Sequence, residues 1–283
     1  MKMDNDKKVV LVTGASAGMG KETAKCLAHK GYTVYGAARR MEKMKDMETL
    51  GIHTLEMDVT NDESMIKGIE KIIQAEKKID ILINSAGFGS HGAIEDVPME
   101  DARYQLEVNV IGVARLIQLV LPYMRKNHFG KIVNISSIGG KFSGPFGGWY
   151  HASKFALEGL SDSLRMEVKQ FGIDVIVIEP GSVKSEWKDI AFGNLQKTSA
   201  NTASPYYDGA TAFFNATKKM AEEKSSDPMV IVDLIYKAIE AKKPKTRYAG
   251  GFMAKPALFM RKILSDKLLD KVILSQMKSD HER

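Results

Sequence analysis

The stretch that most constrains this chain lies near its start. Val9-Val10-Leu11-Val12 is a short β-branched apolar run, and Thr13-Gly14-Ala15-Ser16-Ala17-Gly18-Met19-Gly20 follows without a break. A continuous apolar run of this length reads as a strand buried on both faces, which belongs in a parallel sheet. Residues 21–30 then continue as a helix closed by Gly31. Glycines let the loop turn tightly and admit a pyrophosphate close to the backbone, and the helix N-terminus supplies amide donors and a favourable dipole. A Gly-rich turn alone is common. The strand before it and the helix after it make Gly14, Ser16, Met19 and Gly20 candidate dinucleotide contacts.

Alternation continues down the chain. Residues 33–38, 52–57, 79–83, 131–135, 173–178 and 246–249 read as strands, and 61–76, 101–126, 150–171 and 229–242 as helices. Such alternation implies an α/β fold of the Rossmann type. Its core is a doubly wound, mainly parallel seven-stranded sheet with helices on both faces. At 283 residues, 44% of them hydrophobic, and with no linker or repeat, the expectation is a single domain over 1–283. Cys26 is the only cysteine, so no internal disulfide forms, and a reducing, cytoplasmic setting fits. Residues 1–8 are too polar for a signal peptide, and no uninterrupted apolar run is long enough to span a bilayer. The net charge of +6 comes from 41 basic and 35 acidic residues of interspersed sign. No basic stripe with aromatics marks nucleic-acid binding. Mild positive charge does suit an anionic cofactor.

Ligands of an open parallel sheet collect beyond the carboxyl ends of its strands, so those ends are the places to look. After the second strand, a carboxylate would hold the ribose hydroxyls of NAD; this chain has Ala38 followed by Arg39 and Arg40. A guanidinium pairs with a 2′-phosphate, which favours NADP(H). Asp58-Val59 ends the third strand, where the carboxylate either meets an adenine amino group or caps the next helix. The fourth strand ends in Asn84-Ser85-Ala86-Gly87, a small-residue turn open to a flat ligand, with His91 beyond it read as a surface-loop residue. Asn109 interrupts an amphipathic helix in apolar company, Ser137 follows the fifth strand, and Pro180-Gly181-Ser182-Val183-Lys184-Ser185 follows the sixth. Tyr150 and Lys154 share a helical face four residues apart, and a neighbouring ammonium favours the phenolate.

In this order and spacing these residues resemble the short-chain dehydrogenase/reductase family, over roughly residues 8–248. The carrying motifs are Thr13-Gly14-x-x-x-Gly18-x-Gly20, Asp58-Val59, Asn84-Ser85-Ala86-Gly87, Asn109, Ser137, Tyr150-x-x-x-Lys154 and Pro180-Gly181-x-Val183. Ser85 departs from the commoner Asn or Ala, and Ala17 stands where some NADPH-dependent members have a basic residue, so the NADP(H) reading rests on Arg39 with Arg40 beside it. The resemblance implies that Tyr150 is the acid in carbonyl reduction and that Lys154 holds the nicotinamide ribose and lowers the tyrosine pKa. It implies that Ser137 donates to the substrate oxygen and that Asn109 positions a relay water. Val183 and Ser185 would fix the nicotinamide amide.

The resemblance implies that 186–228 is a substrate lid, with Trp187 and Tyr206 facing the substrate alongside Ser137 and Tyr150. Phe142, Phe146, Trp149, Phe192 and Tyr207 could join them in an apolar pocket or pack in the core. An aromatic cleft favours a steroid, retinoid or aromatic ketone, and the chain resembles the steroid- and retinol-dehydrogenase-like branch of carbonyl reductases. A helical extension over about 254–280 is amphipathic and basic. Packing or a lid role is favoured there over contact with a membrane surface. The resemblance also implies a homodimer or homotetramer through helices 101–126 and 150–171. A non-catalytic dinucleotide-binding sensor or interaction protein on the same fold is the alternative. It has no need of a proton donor.

Overall fold

The computed structural model describes residues 7–185 and 187–275, with the backbone alone for 187–190. Seven strands, β1 (Val9–Thr13), β2 (Thr33–Ala38), β3 (His53–Glu56), β4 (Ile81–Asn84), β5 (Gly130–Ile135), β6 (Ile173–Pro180) and β7 (Arg247–Gly250), form one sheet. The order is β3-β2-β1-β4-β5-β6-β7, and every neighbouring pair is parallel. The expected doubly wound sheet is present, and it is parallel throughout. The helices are α1 (Gly18–His29), α2 (Lys45–Glu48), α3 (Asp62–Glu76), α4 (Met99–Leu106), α5 (Gly112–Lys126), α6 (Gly148–Val168), α7 (Trp187–Lys197), α8 (Tyr207–Lys224), α9 (Met229–Glu240), α10 (Ala254–Ile263) and α11 (Asp266–Ser275).

The period-2 geometry of strands splits the apolar runs between two layers. Val9, Leu11, Leu82, Ile132 and Val175 meet α3, α5 and α6 on one face; Val10, Val12, Ile81, Ile83, Val133 and Ile176 meet α1 and α9 on the other. Burying a Val, Leu or Ile side chain is worth roughly 1.5–3 kcal/mol. Central strands apolar on both faces therefore hold the two helical layers together. Lys131, buried on β5, donates from Nζ to the carbonyls of Ile239 (2.6 Å) and Ala241 (2.7 Å), tying the C-terminal end of α9 to the sheet.

A π-helical turn, Glu107–Ile111, joins α4 to α5 in one continuous helical run. That run is long and apolar enough to cross a membrane by length and composition, although Arg115 interrupts its apolar stretch. In the fold, its residues Val113, Leu116, Ile117, Val120 and Met124 pack on the sheet. The segment expected to form a lid contains α7 and α8. The C-terminal extension is two helices, α10 and α11, and its end beyond residue 275 lies outside the described residues. The sheet order reverses between β1 and β4, and the crevice at their carboxyl ends is where the candidate residues gather.

Candidate active site

The glycine loop is shaped for close approach. Gly14 has φ +68°, and a Cβ there would stand 2.8 Å from the Ala86 nitrogen. A Cβ on Gly20 would stand 2.4 Å from the Gly14 carbonyl oxygen. Only glycine fits either position, so the loop, the start of α1 and the turn after β4 lie against one another. Thr13 Oγ1 accepts from the backbone N–H groups of Ser85 (3.1 Å) and Ala86 (3.2 Å), which fixes that turn. Asn84 Nδ2 donates to Asn134 Oδ1 (2.8 Å), and Asn134 Nδ2 to Ser161 Oγ (2.9 Å), a buried ladder from β4 through β5 to α6. These features fit a dinucleotide, with backbone amides along the loop.

Ser137, Tyr150 and Lys154 come together at the inner end of this crevice. Ser137 caps a short 3-10 turn, Ile138–Gly140, and its Oγ accepts from Gly139 N–H (2.9 Å). The Ser137 hydroxyl is hydrogen-bonded to Tyr150 and pulls the phenol pKa down, but burial outweighs it and pushes the phenol up to about 12. Lys154 is buried, donates from Nζ to the Ile135 carbonyl (2.9 Å), and lies 5.9 Å from the Tyr150 ring centroid. Burial lowers its pKa to about 8, with the Glu158 carboxylate opposing. The expected depression of the tyrosine by Lys154 is therefore not what governs the phenol here.

Asn109 is buried in the π-helical turn, as π-turns at functional sites often place their residues. Its Oδ1 accepts from Phe88 N–H (3.1 Å), and its Nδ2 donates to the Phe88 carbonyl (2.9 Å) and Ser153 Oγ (3.0 Å). The side chain is thus a clamp between the turn after β4 and α6.

A cavity of about 430 Å³ opens onto Ser137, Tyr150 and Lys154. Met19, Gly87, Tyr150, Lys154, Pro180, Gly181, Val183 and Ser185 line it, and Ser137 stands at its wall. Gly14, Ser16, Gly20, Asp58, Val59, Asn84 and Ala86 belong to the loop and strand ends beside the same crevice. Phe142, Phe192 and Phe213 supply aromatic walls; Met260, Leu269 and Ile273 on α10 and α11 line it too. The C-terminal helices therefore supply part of the cavity wall. Arg261 Nε, donating to the Lys141 carbonyl (3.2 Å), fastens α10. Lys141 pairs in turn with buried Glu158 (2.6 Å).

Several expectations change. Tyr206 does not line the cavity; its hydroxyl donates to Glu95 Oε2 (2.7 Å) on the surface, because a polar tip with a nearby carboxylate gains more there than against apolar walls. The Trp187 side chain lies outside the described residues. Arg39 donates to the Tyr104 hydroxyl (2.6 Å) and approaches Asp58 (3.9 Å), whereas Arg40 turns to the glycine loop and donates to Ser16 Oγ (3.2 Å). Asp58 accepts from both the N–H (2.9 Å) and the hydroxyl (2.8 Å) of Thr60, and Asn61 instead caps α3. His91 is no surface residue: it lines the cavity, its ring 6.0 Å from that of Tyr150. His151 also lines it. Neither histidine carries a sequence signal beyond proximity to a motif.

The profile of the family described as short chain dehydrogenase matches residues 8–192. The 3-ketodihydrosphingosine reductase of Bacteroides thetaiotaomicron is 38% identical over 247 residues, covering 86% of this chain and 88% of that protein. The NADPH-dependent 3-dehydrocapnine reductase of Ornithobacterium rhinotracheale is 33% identical over 96% of this chain and 98% of its own. The crystal structure of a short-chain dehydrogenase from Streptomyces avermitilis superposes with a TM-score of 0.78 at 31% identity, covering 95% of this chain and 94% of that one.

Proposed function

The chain belongs to the short-chain dehydrogenase/reductase family of oxidoreductases, and from that premise we propose that it reduces a lipophilic ketone with NADPH, Tyr150 giving the proton. The observation that carries this reading is the placement of Ser137, Tyr150 and Lys154 on the wall of a cavity whose other walls are largely apolar. A bound nicotinamide cofactor supplies a hydride to the carbonyl carbon. Tyr150, held protonated by burial, delivers its proton to the carbonyl oxygen. Ser137 hydrogen-bonds that same oxygen as charge develops on it. Lys154, anchored on the Ile135 carbonyl, would hold the nicotinamide ribose. Arg40, at Ser16 of the glycine loop, favours a 2′-phosphate.

The substrate is a hydrophobic ketone in the range of steroids, retinoids and aromatic ketones. The two named reductases add 3-ketodihydrosphingosine and 3-dehydrocapnine to the compounds worth offering. The test is NADPH consumption across such a panel, with small hydrophilic ketones as controls. The wild-type protein is expected to turn over lipophilic members. Tyr150→Phe is expected to lose at least about a hundredfold in kcat, the usual scale of a lost general acid, while NADPH affinity stays nearly intact. Turnover confined to hydrophilic ketones, or a Phe variant as active as the wild type, would contradict the proposal.

A further inference from the structure

We propose that His151 is a positioning residue: its neutral imidazole, protonated on Nδ1, holds the Gly139 carbonyl and, through the backbone of Gly139, the Ser137 hydroxyl. The inference rests on the oxidoreductase reading above and deepens it.

The tautomer follows from the two hydrogen bonds of the ring. Gly144 donates its backbone N–H to His151 Nε2 (3.0 Å), so Nε2 carries no proton. Nδ1 lies 2.9 Å from the Gly139 carbonyl oxygen, which can only accept, so Nδ1 carries it. One neutral tautomer satisfies both partners, and the imidazolium would set two N–H groups against each other at Gly144. Burial agrees, lowering the His151 pKa against the pull of the Gly139 carbonyl.

Gly139, whose carbonyl accepts from His151, also donates its N–H, which belongs to the preceding peptide, to Ser137 Oγ (2.9 Å), so one residue is held from both of its peptides. That bond occupies one side of the serine oxygen and leaves its proton directed towards Tyr150 and the substrate oxygen. The ring has little room to shift. A Cβ on Gly139 would stand 3.0 Å from Nδ1 and one on Gly147 2.9 Å from Nε2, so the imidazole sits between two glycine backbones. His151 N–H also bonds the Gly147 carbonyl (2.9 Å) in the first turn of α6. One residue therefore ties the turn bearing Ser137 to the helix bearing Tyr150, and sets the spacing of the two groups that share the reacting oxygen.

Three variants separate the two bonds. In His151→Asn the side-chain amide nitrogen stands where Nδ1 does, keeping the Gly139 bond and losing the one to Gly144. In His151→Gln the amide oxygen reaches the Gly144 N–H and the Gly139 bond is lost; His151→Ala loses both. With saturating NADPH and a lipophilic ketone, kcat is expected to fall about tenfold or more in the Gln and Ala variants and to stay within about threefold in Asn, the scale expected for a displaced reacting group. Ketone KM and NADPH affinity, read by cofactor fluorescence, are expected to move less than about threefold in all three. Equal kcat in Asn and Gln, wild-type kcat in Ala, or a loss confined to KM would overturn the proposal. A readout independent of turnover is the 15N spectrum of labelled histidine at pH 7, assigned through the Asn variant. His151 is expected to show a protonated Nδ1 and an unprotonated Nε2, and the other tautomer or an imidazolium would overturn the proposal. A wild-type protein inactive on every ketone would instead count against the proposed function, with the spectrum still deciding the state of His151.

Discussion

Burial acts in opposite senses on Tyr150 and Lys154, and both effects matter for the direction of chemistry. The phenol is pushed up to about 12 and the ammonium down to about 8. At neutral pH the tyrosine holds its proton, which suits it to reduction, and the lysine is charged until the pH nears 8. A group that must be protonated to bind an anionic cofactor loses function as pH rises through its pKa. The kcat/KM for NADPH, which reports groups of the free enzyme, is therefore expected to decline through about pH 8. Lys154→Arg, whose guanidinium does not titrate there, is expected to lose that limb, and a wild-type profile flat to pH 10 would contradict the assignment. The two arginines after β2 make a second residue-scale prediction. Arg40 reaches Ser16 of the glycine loop, while Arg39 is spent on Tyr104. A charge-assisted hydrogen bond is worth about 1.5–3 kcal/mol, so Arg40→Ala is expected to weaken NADPH about ten- to a hundredfold relative to NADH. Arg39→Ala is expected to do less. Titration of both variants with both cofactors checks the ranking, and the reverse order would return the 2′-phosphate to Arg39.

At the scale of elements, the wall supplied by α10 and α11 is the part that the cavity depends on and the motifs do not announce. Val272 and Ile273 on α11 line the cavity far from the glycine loop in sequence. Replacing both with Ala removes apolar contact from the substrate but from no reacting group. KM for a lipophilic ketone is expected to rise about tenfold, ~1.4 kcal/mol, with kcat and the kinetics of small ketones unchanged. An equal effect on small and large ketones would show that α11 serves stability rather than recognition. The contrast with the rest of the site explains what is legible in a sequence. The strands are legible because Val9 to Val12 must be apolar on both faces. The glycine loop is legible because no side chain fits at Gly14 or Gly20. Ser137, Tyr150 and Lys154 are legible because chemistry fixes both type and spacing. Leu269 and Ile273 are not, because an apolar residue on an amphipathic helix looks the same whether it meets a core or a cavity. Tyr206 misled for the same reason in reverse: an aromatic residue in a lid segment says nothing of whether a carboxylate such as Glu95 waits nearby for its hydroxyl. Arg39 and Arg40 lie past the end of β2, where strand alternation no longer dictates which way a side chain turns.

For the whole molecule, part of the exposed apolar surface is carried by two neighbouring helical elements. Phe155 (44% exposed) and Met166 (69%) are eleven residues apart on α6, hence on one face, with Gly159 between them facing open space. Tyr104 (39%) and Ile111 (52%) are also exposed on the neighbouring α4–α5 run. Helix α6 packs beside α4 and the π-helical turn, so these exposed side chains lie on neighbouring elements of one layer of the sheet. Large apolar side chains grouped in this way cost free energy in water and gain it against a complementary surface. We propose that a second copy of the chain covers them, pairing α4–α5 and α6 about a two-fold axis, since an isologous contact lets one patch meet itself. A stable interface of this kind buries about 1,200–2,000 Å² in total, which two long helices from each chain can supply. Light scattering is expected to give the mass of a dimer or tetramer for the wild-type chain. The double variant Phe155→Glu, Met166→Glu is expected to lower that mass at micromolar concentration, because four carboxylates would face one another across each two-fold contact. Both positions point away from the cavity, so NADPH affinity should hold and show that the variant is folded. A wild-type monomer, or an unchanged assembly in the variant, would place the partner surface elsewhere or remove the need for one.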